Sequence, residues 1–137
     1  MDMRVVLNCL AAGALIGLPA VAMAQEWPDI TGAWDTTFGP LNFTLKDIKD
    51  DAGAVIGKSA TAPYKEEGGT VSGELQGSTL VGYWHEPYSS VKCTTKRANT
   101  FYWGKVEFVF NAAVNEYAGK WGYCEEAPER GWSGRRA

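Results

Sequence analysis

The sequence predicts an all-β protein, a small antiparallel up-and-down meander barrel of about 7–8 strands. Three observations predict it. Apolar residues recur at a spacing of two nearly everywhere, which is the side-chain period of a strand. A pattern of large residue, glycine, large residue at alternate positions opens at Ile30-Thr31-Gly32-Ala33-Trp34. It returns at Val71 to Leu75, Leu80 to Trp84, Tyr117 to Trp121 and, shortened, Trp132 to Arg135, with a weaker copy at Val55 to Ser59. Turn signals interrupt the chain roughly every 8–16 residues, and no stretch keeps a helical period.

The first 24 residues read as an export signal, not as part of the fold. Arg4 gives a positive start, Val5 to Val21 is an apolar run broken by Asn8, and Ala22-Met23-Ala24 is an A-x-A cleavage pattern. Cleavage is expected before Gln25. The run is too short and too rich in small residues to span a membrane comfortably. Cys9 lies inside it, away from the cleavage site. Residues 25–137 then form one domain with enough length for one modest core. The formal charge of −3 survives cleavage, because Asp2 and Arg4 cancel. Without a basic surplus, nucleic acid and anionic membranes are poor partners.

Of the three cysteines, Cys93 and Cys124 remain after cleavage. In an oxidising exported compartment such a pair reads as a disulfide. Closing a loop of about 31 residues contributes roughly 3.7 kcal/mol in the chain-entropy model. Neither cysteine sits in a C-x-x-C pattern, which argues against a redox or metal pair.

The strands follow in order. Trp27-Pro28 is extended and leads into a first strand at Ile30 to Thr37. Gly39-Pro40 is expected to break it, and Leu41 to Leu45 alternates for a second strand. Asp47 to Gly53 reads as a charged turn, and a third strand runs near Ala54 to Ala62. Pro63 to Gly69 is turn-like. Thr70 to Gln76, Gly77-Ser78 and Thr79 to Glu86 read as a tight hairpin. Pro87 to Tyr102 is the longest irregular stretch. Strands at Trp103 to Asn111, Glu116 to Cys124 and Trp132 to Arg136 complete the chain.

Strand alternation points Gly32, Gly73, Gly82, Gly119 and Gly134 inward. Either tryptophans from across the barrel fill the space above them, or that space is a cavity. A cavity would lie between Gly32, Gly73, Gly82 and Gly119, be walled by Trp34, Trp84 and Trp121, and open beneath the 87–102 segment. Trp132 shares that inward face. Trp27, Tyr83, Tyr88, Tyr102 and Trp103 fall outside that face or in loops, where exposed aromatics suit sugar stacking, a protein interface or cover for a barrel mouth. The candidate ligand contacts are therefore Trp34, Trp84, Trp121, Tyr88, Tyr102 and Trp103.

Catalytic and metal chemistry find little support. His85, the single histidine, alternates outward with Val81 and Tyr83, and no nucleophile or second metal ligand is spaced to it. Asp50-Asp51, Glu66-Glu67 and Glu125-Glu126 are adjacent carboxylates in turns, without the loop of oxygen ligands that calcium requires. Asn42-Phe43-Thr44 is a glycosylation triplet, but it lies within a strand.

Gly32-Ala33-Trp34 on the first strand, with Arg135-Arg136 at the end of the last, resembles the calycin superfamily of lipocalins and avidins. The resemblance implies a basic residue packed over the first-strand tryptophan, and parity assigns this to Arg136. Asp35-Thr36-Thr37-Phe38 does not match the polar biotin contacts of avidins, so no biotin site is implied. Gly32 to Gly39, Val71 to Leu75, Leu80 to Trp84 and Trp132 to Arg136 together resemble an uncharacterised group of bacterial exported domains reading G-x-W-D-T-x-F-G and ending in W-x-G-x-R. Small periplasmic metalloprotease inhibitors share export, size and one disulfide, but carry their cysteines on early strands.

The sequence thus leads to a periplasmic or secreted binding module without catalysis or cofactor, its partner a small molecule, glycan or protein. The alternatives are an inhibitor of a secreted hydrolase, expected to show a protruding loop or terminus, and a structural envelope domain, expected to show a large outer apolar patch.

Overall fold

The computed structural model describes residues 26–64 and 68–137. The expected export signal, its cleavage before Gln25 and the Glu66-Glu67 pair lie outside the described residues.

Among the described residues nine strands form one antiparallel sheet: β1 (Gly32–Thr36), β2 (Gly39–Lys49), β3 (Val55–Pro63), β4 (Thr70–Gln76), β5 (Thr79–Glu86), β6 (Tyr102–Phe110), β7 (Glu116–Trp121), β8 (Arg130–Gly131) and β9 (Gly134–Arg136). Each of β1 to β7 pairs with the next, and β9 pairs with both β7 and β1, which closes the barrel. The short β8 pairs Lys120 with Gly131, and β9 continues the same alignment at Tyr117 and Gly134. The Trp132 amide donates to the Gly119 carbonyl between them. The two are thus one closing strand, interrupted at Trp132-Ser133. The closed meander of eight strands with one extra segment is the expected architecture.

The hairpin of β4 and β5 has the expected bounds. The other boundaries shift for local reasons. Gly39 and Pro40 do not break the chain; the turn is at Thr37-Phe38, and Pro40 pairs with Asp35 on an exposed position. Asp47 to Lys49 is strand rather than turn, paired with Lys58, Gly57 and Val55 around a bulge at Ile48/Lys49. The turn begins at Asp50, whose carboxylate accepts the amides of Ala52 and Ala54, both at 2.9 Å, an Asx-type turn. The strand expected to reach Cys124 ends at Trp121. There Cys124 adopts a φ of 57°, outside the strand region.

The interior is aromatic from end to end. At the end opposite the long loops, Trp34 is fully buried, with Phe110 at 5.2 Å and Tyr117 at 5.8 Å between ring centroids. In the middle Phe108 stacks on Tyr117 at 4.3 Å and meets Trp132 edge-on at 5.3 Å. Each fully buried large side chain contributes roughly 1.5–3 kcal/mol, and each such ring pair about 0.5–1.5 kcal/mol more. Arg136 closes this end. Its guanidinium lies 4.6 Å above the Trp34 ring and donates to the carbonyls of Thr31, Asp29 and Val114.

A cavity above the inward glycines is not what they provide. Gly73 and Gly82 face each other across β4 and β5. A Cβ on Gly82 would stand 2.1 Å from the Ser72 carbonyl oxygen, and one on Gly73 2.4 Å from that of Val81. A Cβ on Gly119 would meet the Trp132 carbonyl oxygen at 2.1 Å, and one on Gly32 the Arg136 guanidinium at 3.7 Å. Gly73, Gly82 and Gly119 let neighbouring backbone and rings approach closely, whereas at Gly32 the contact is ordinary and the φ of +103° is what favours glycine. The interior between them is filled by Phe108, Tyr117 and Trp132.

The disulfide between Cys93 and Cys124 is present, with Cα atoms 5.6 Å apart. It ties the 87–101 segment to the chain beyond β7. That segment does not form a lid over the glycine face. Most of it folds down the outer wall of β5 and β6, where Trp103 points outward yet is only 2% exposed. The Trp103 indole donates to the Thr95 carbonyl at 2.8 Å. Arg97 stacks 3.5 Å over the Tyr83 ring and 5.6 Å from that of Trp103.

Candidate functional site

One end of the barrel is plugged by Arg136, and the other is open. At the open end β3, β5 and β7 finish, and the β1–β2 turn rises beside them. A cavity of about 270 Å³ lies there, lined by Phe38, Tyr64, Trp84, Glu86, Ser89, Ser90, Trp121, Tyr123 and Trp132. Its floor is Trp132, whose indole donates to the Thr36 hydroxyl at 3.0 Å. Tyr64 and Phe38 meet Trp132 edge-on at 5.0 and 5.1 Å.

The far wall is Trp84, Trp121 and Tyr123, a mutually edge-packed trio with centroid separations of 5.9, 6.0 and 4.9 Å. Trp84 is fixed in place by its indole N–H, which donates to the Gly122 carbonyl at 2.9 Å. Gly104 makes this possible. A Cβ there would stand 1.8 Å from that same carbonyl oxygen and 2.6 Å from the indole nitrogen. Trp84 and Trp132 are 3% exposed, whereas Phe38 is 40% exposed at the rim. The floor and inner wall are therefore buried, while the rim at Phe38 is exposed.

Among the described residues of the lining, polar groups are few. The Tyr64 hydroxyl donates to the Glu86 carboxylate. Burial first, and this carboxylate second, push the Tyr64 phenol well above its usual range, so it stays a protonated donor. Ser90 and Tyr123 hydroxyls are 3.1 Å apart. Thr100 donates to the Glu86 carbonyl at 2.7 Å, anchoring the strand end that carries the carboxylate. Just outside the lining, Arg130 lies across the strand pair from Trp121. Its guanidinium is 5.5 Å from the Trp121 ring and 5.1 Å from that of Tyr123.

Of the candidate contacts taken from the sequence, the structure brings Trp84 and Trp121 into this pocket. Trp34 lies at the plugged end under Arg136, and Trp103 is sealed on the outer wall. Tyr88, 75% exposed, packs its ring 5.0 Å from Tyr102 on the surface. Phe38, Tyr64, Glu86, Ser89, Ser90, Tyr123 and Trp132 are the other described residues of the lining, the two serines coming from the start of the 87–101 segment. Some of these were legible by parity: Glu86 continues the inward set of Leu80, Gly82 and Trp84, and Trp132 shares the inward face. Tyr123 was legible as well, as the next member of the Tyr117, Gly119 and Trp121 set in the expected strand, although the strand itself ends at Trp121; Phe38 and Tyr64 lie in or beside turns, where alternation gives no direction.

His85 is on the outer face, opposite Trp103 in the β5–β6 ladder. Burial lowers its pKa below 6.5. No group of three or more potential metal ligands occurs among the described residues. A second, wider depression of about 680 Å³ runs past Asp35, Val109, Glu116 and Arg135. It is shallow, and its ion pair, Arg135 with Glu116 at 3.6 Å, is solvent-exposed, where such pairs contribute little. No protein-family model, curated protein or solved structure matches the chain.

Proposed function

We propose that this protein is a non-catalytic binding module of the periplasm or extracellular space, and that its ligand site is the aromatic pocket at the open end of the barrel. The observation that carries the reading is the lining itself. Among the described residues, six aromatic side chains enclose a cavity with one carboxylate and two serines, the mostly apolar, concave and pre-formed character of small-molecule sites. Its volume suits a small molecule better than a lipid chain.

Several features support this over the alternatives. The longest irregular segment is strapped to the outer wall by the disulfide, Arg97 and Trp103, and so does not protrude as an inhibitory loop would. The exposed large apolar residues are dispersed, with Val55 and Ile56 beside a turn and Val81 and Val109 on the outer face, rather than gathered into one patch. The disulfide fits an oxidising compartment.

The test is a ligand screen read at the pocket. Indole and ring NMR signals of Trp84, Trp121 and Tyr123 are followed against a chemically diverse set of small soluble molecules. A hit is expected to shift these signals and to lose affinity roughly tenfold or more in Trp121→Ala, as expected for a lost aromatic wall. Hits that shift only surface residues elsewhere, with Trp121→Ala binding normally, would overturn the assignment.

A further inference from the structure

We propose that the disulfide-bound 87–101 segment is a docking face for an anionic lipid surface, on which the protein rests peripherally through Lys92, Lys96, Arg97 and Tyr88. The proposal stands apart from the aromatic pocket and does not depend on it.

The charge of the chain is unevenly placed. Residues 87–106 carry four of the thirteen Lys and Arg residues and none of the sixteen Asp and Glu residues. That stretch is therefore +4 and the remainder of the chain −7, which together make the net −3. A negative total argues against an anionic partner only where the charges are evenly mixed. Here the positive charge is segregated onto one segment of the outer wall, and it is the local field that a partner meets.

Packing gathers this charge and leaves it unneutralised. The Lys92 and Lys96 ammonium groups lie 4.9 and 5.4 Å from the centre of one ring, that of Phe101, so the two charges are held near one another. Arg97, the next residue, lies over Tyr83. All three cations are exposed, and none has an ion pair among the described residues. Lys105, the fourth, is met by Glu125 at 3.3 Å. Ring faces hold a cation without cancelling its charge.

The apolar content of the segment selects the partner. Tyr88 is 75% exposed, and Val91, adjacent to Lys92, is 38% exposed. A phenol and a small aliphatic side chain among ammonium groups match the boundary between lipid headgroups and acyl chains. Basic residues meet phosphate there, and amphipathic rings sit half-immersed. An acidic glycan would use the Tyr88 ring but finds nothing to stack on at Val91. The segment is also held in shape before docking, by the Cys93–Cys124 bridge and by the Trp103 indole bond to the Thr95 carbonyl, so little chain has to be ordered.

The test is sedimentation of the purified protein with vesicles of phosphatidylcholine alone and of phosphatidylcholine with about 30% phosphatidylglycerol. Retention is expected on the anionic vesicles only, and it should be lost as NaCl rises from about 0.05 to 0.5 M. Lys92→Gln combined with Lys96→Gln should lower the partition roughly 20- to 30-fold with an unchanged urea midpoint. Lys46→Gln combined with Lys49→Gln removes the same charge from exposed positions on β2 and should change it less than about threefold. Tyr88→Ser should weaken retention several-fold and leave its salt dependence as it was. Equal losses in the two double variants would overturn the proposal, because total charge and not this face would then govern binding. Equal retention on both vesicles, or none on either, would overturn it as well. An unchanged partition in Tyr88→Ser would remove the contact that selects lipid. Binding of soluble polygalacturonate without retention on anionic vesicles would give the face to an acidic glycan instead.

Discussion

Gly82→Ala places one methyl group in the wall of the barrel, where the structure leaves no room. The added carbon would stand 2.1 Å from the Ser72 carbonyl oxygen and 2.5 Å from the Gly73 Cα. Both obstacles are backbone atoms of β4, held in register by the β4–β5 ladder, so no side chain can rotate away. The two strands must separate by about an ångström to restore ordinary contact, and overpacking of this kind costs about 1–3 kcal/mol. Weakening one adjacent ladder hydrogen bond adds about 1 kcal/mol. The smaller entropy of the unfolded alanine chain offsets about 0.4–1 kcal/mol. A net loss of roughly 2–3 kcal/mol follows, which for a domain of this size lowers Tm by on the order of 10–15 °C. Gly131→Ala is the control. Nothing lies within 4 Å of its added Cβ, and its stability should change by less than about 0.5 kcal/mol. Both variants are measured by urea unfolding, with tryptophan fluorescence as the probe and slopes compared before midpoints. Equal midpoints for Gly82→Ala and Gly131→Ala would refute the close-approach account.

Two further outcomes are expected. Arg136→Ala removes the cation over Trp34 and the donors to Asp29, Thr31 and Val114, and should cost about 2 kcal/mol. Acrylamide quenching of Trp34 should rise with it, and an unchanged midpoint with unchanged quenching would sink the plug. His85 gives a pH dependence of defined sign. Its folded pKa is held below 6.5 by burial, so the unfolded chain takes up the proton first. That stabilisation is present above about pH 6.5 and is lost as pH falls toward the folded pKa. The decline in urea midpoint between about pH 7 and pH 5 should be shallower in His85→Asn, and identical slopes would contradict it.

Much of the fold was legible because a barrel wall imposes one local rule, alternation, along each strand. Ile30 and Trp34, Val71 and Leu75, Leu80 and Trp84 each declare their face without reference to any partner. The hairpin at Gly77-Ser78 declares itself through turn chemistry, and the Cys93–Cys124 bridge through compartment and number. The Arg136 plug followed from parity together with a family resemblance in the first and last strands. What the tertiary structure alone decided concerns distances between strands and the paths of turns. The inward glycines admit both a cavity and a close approach, since each only removes a side chain. Only the backbone of β4 against β5, and the rings of Phe108, Tyr117 and Trp132, decide for close approach. Trp103 alternates outward and is nevertheless sealed, because a segment without periodicity is bound over it by a disulfide. The pocket is assembled from the ends of β3, β5 and β7 and from the turn holding Phe38, residues far apart in sequence. Their convergence depends on how the barrel closes, and alternation along any one strand carries no information about that.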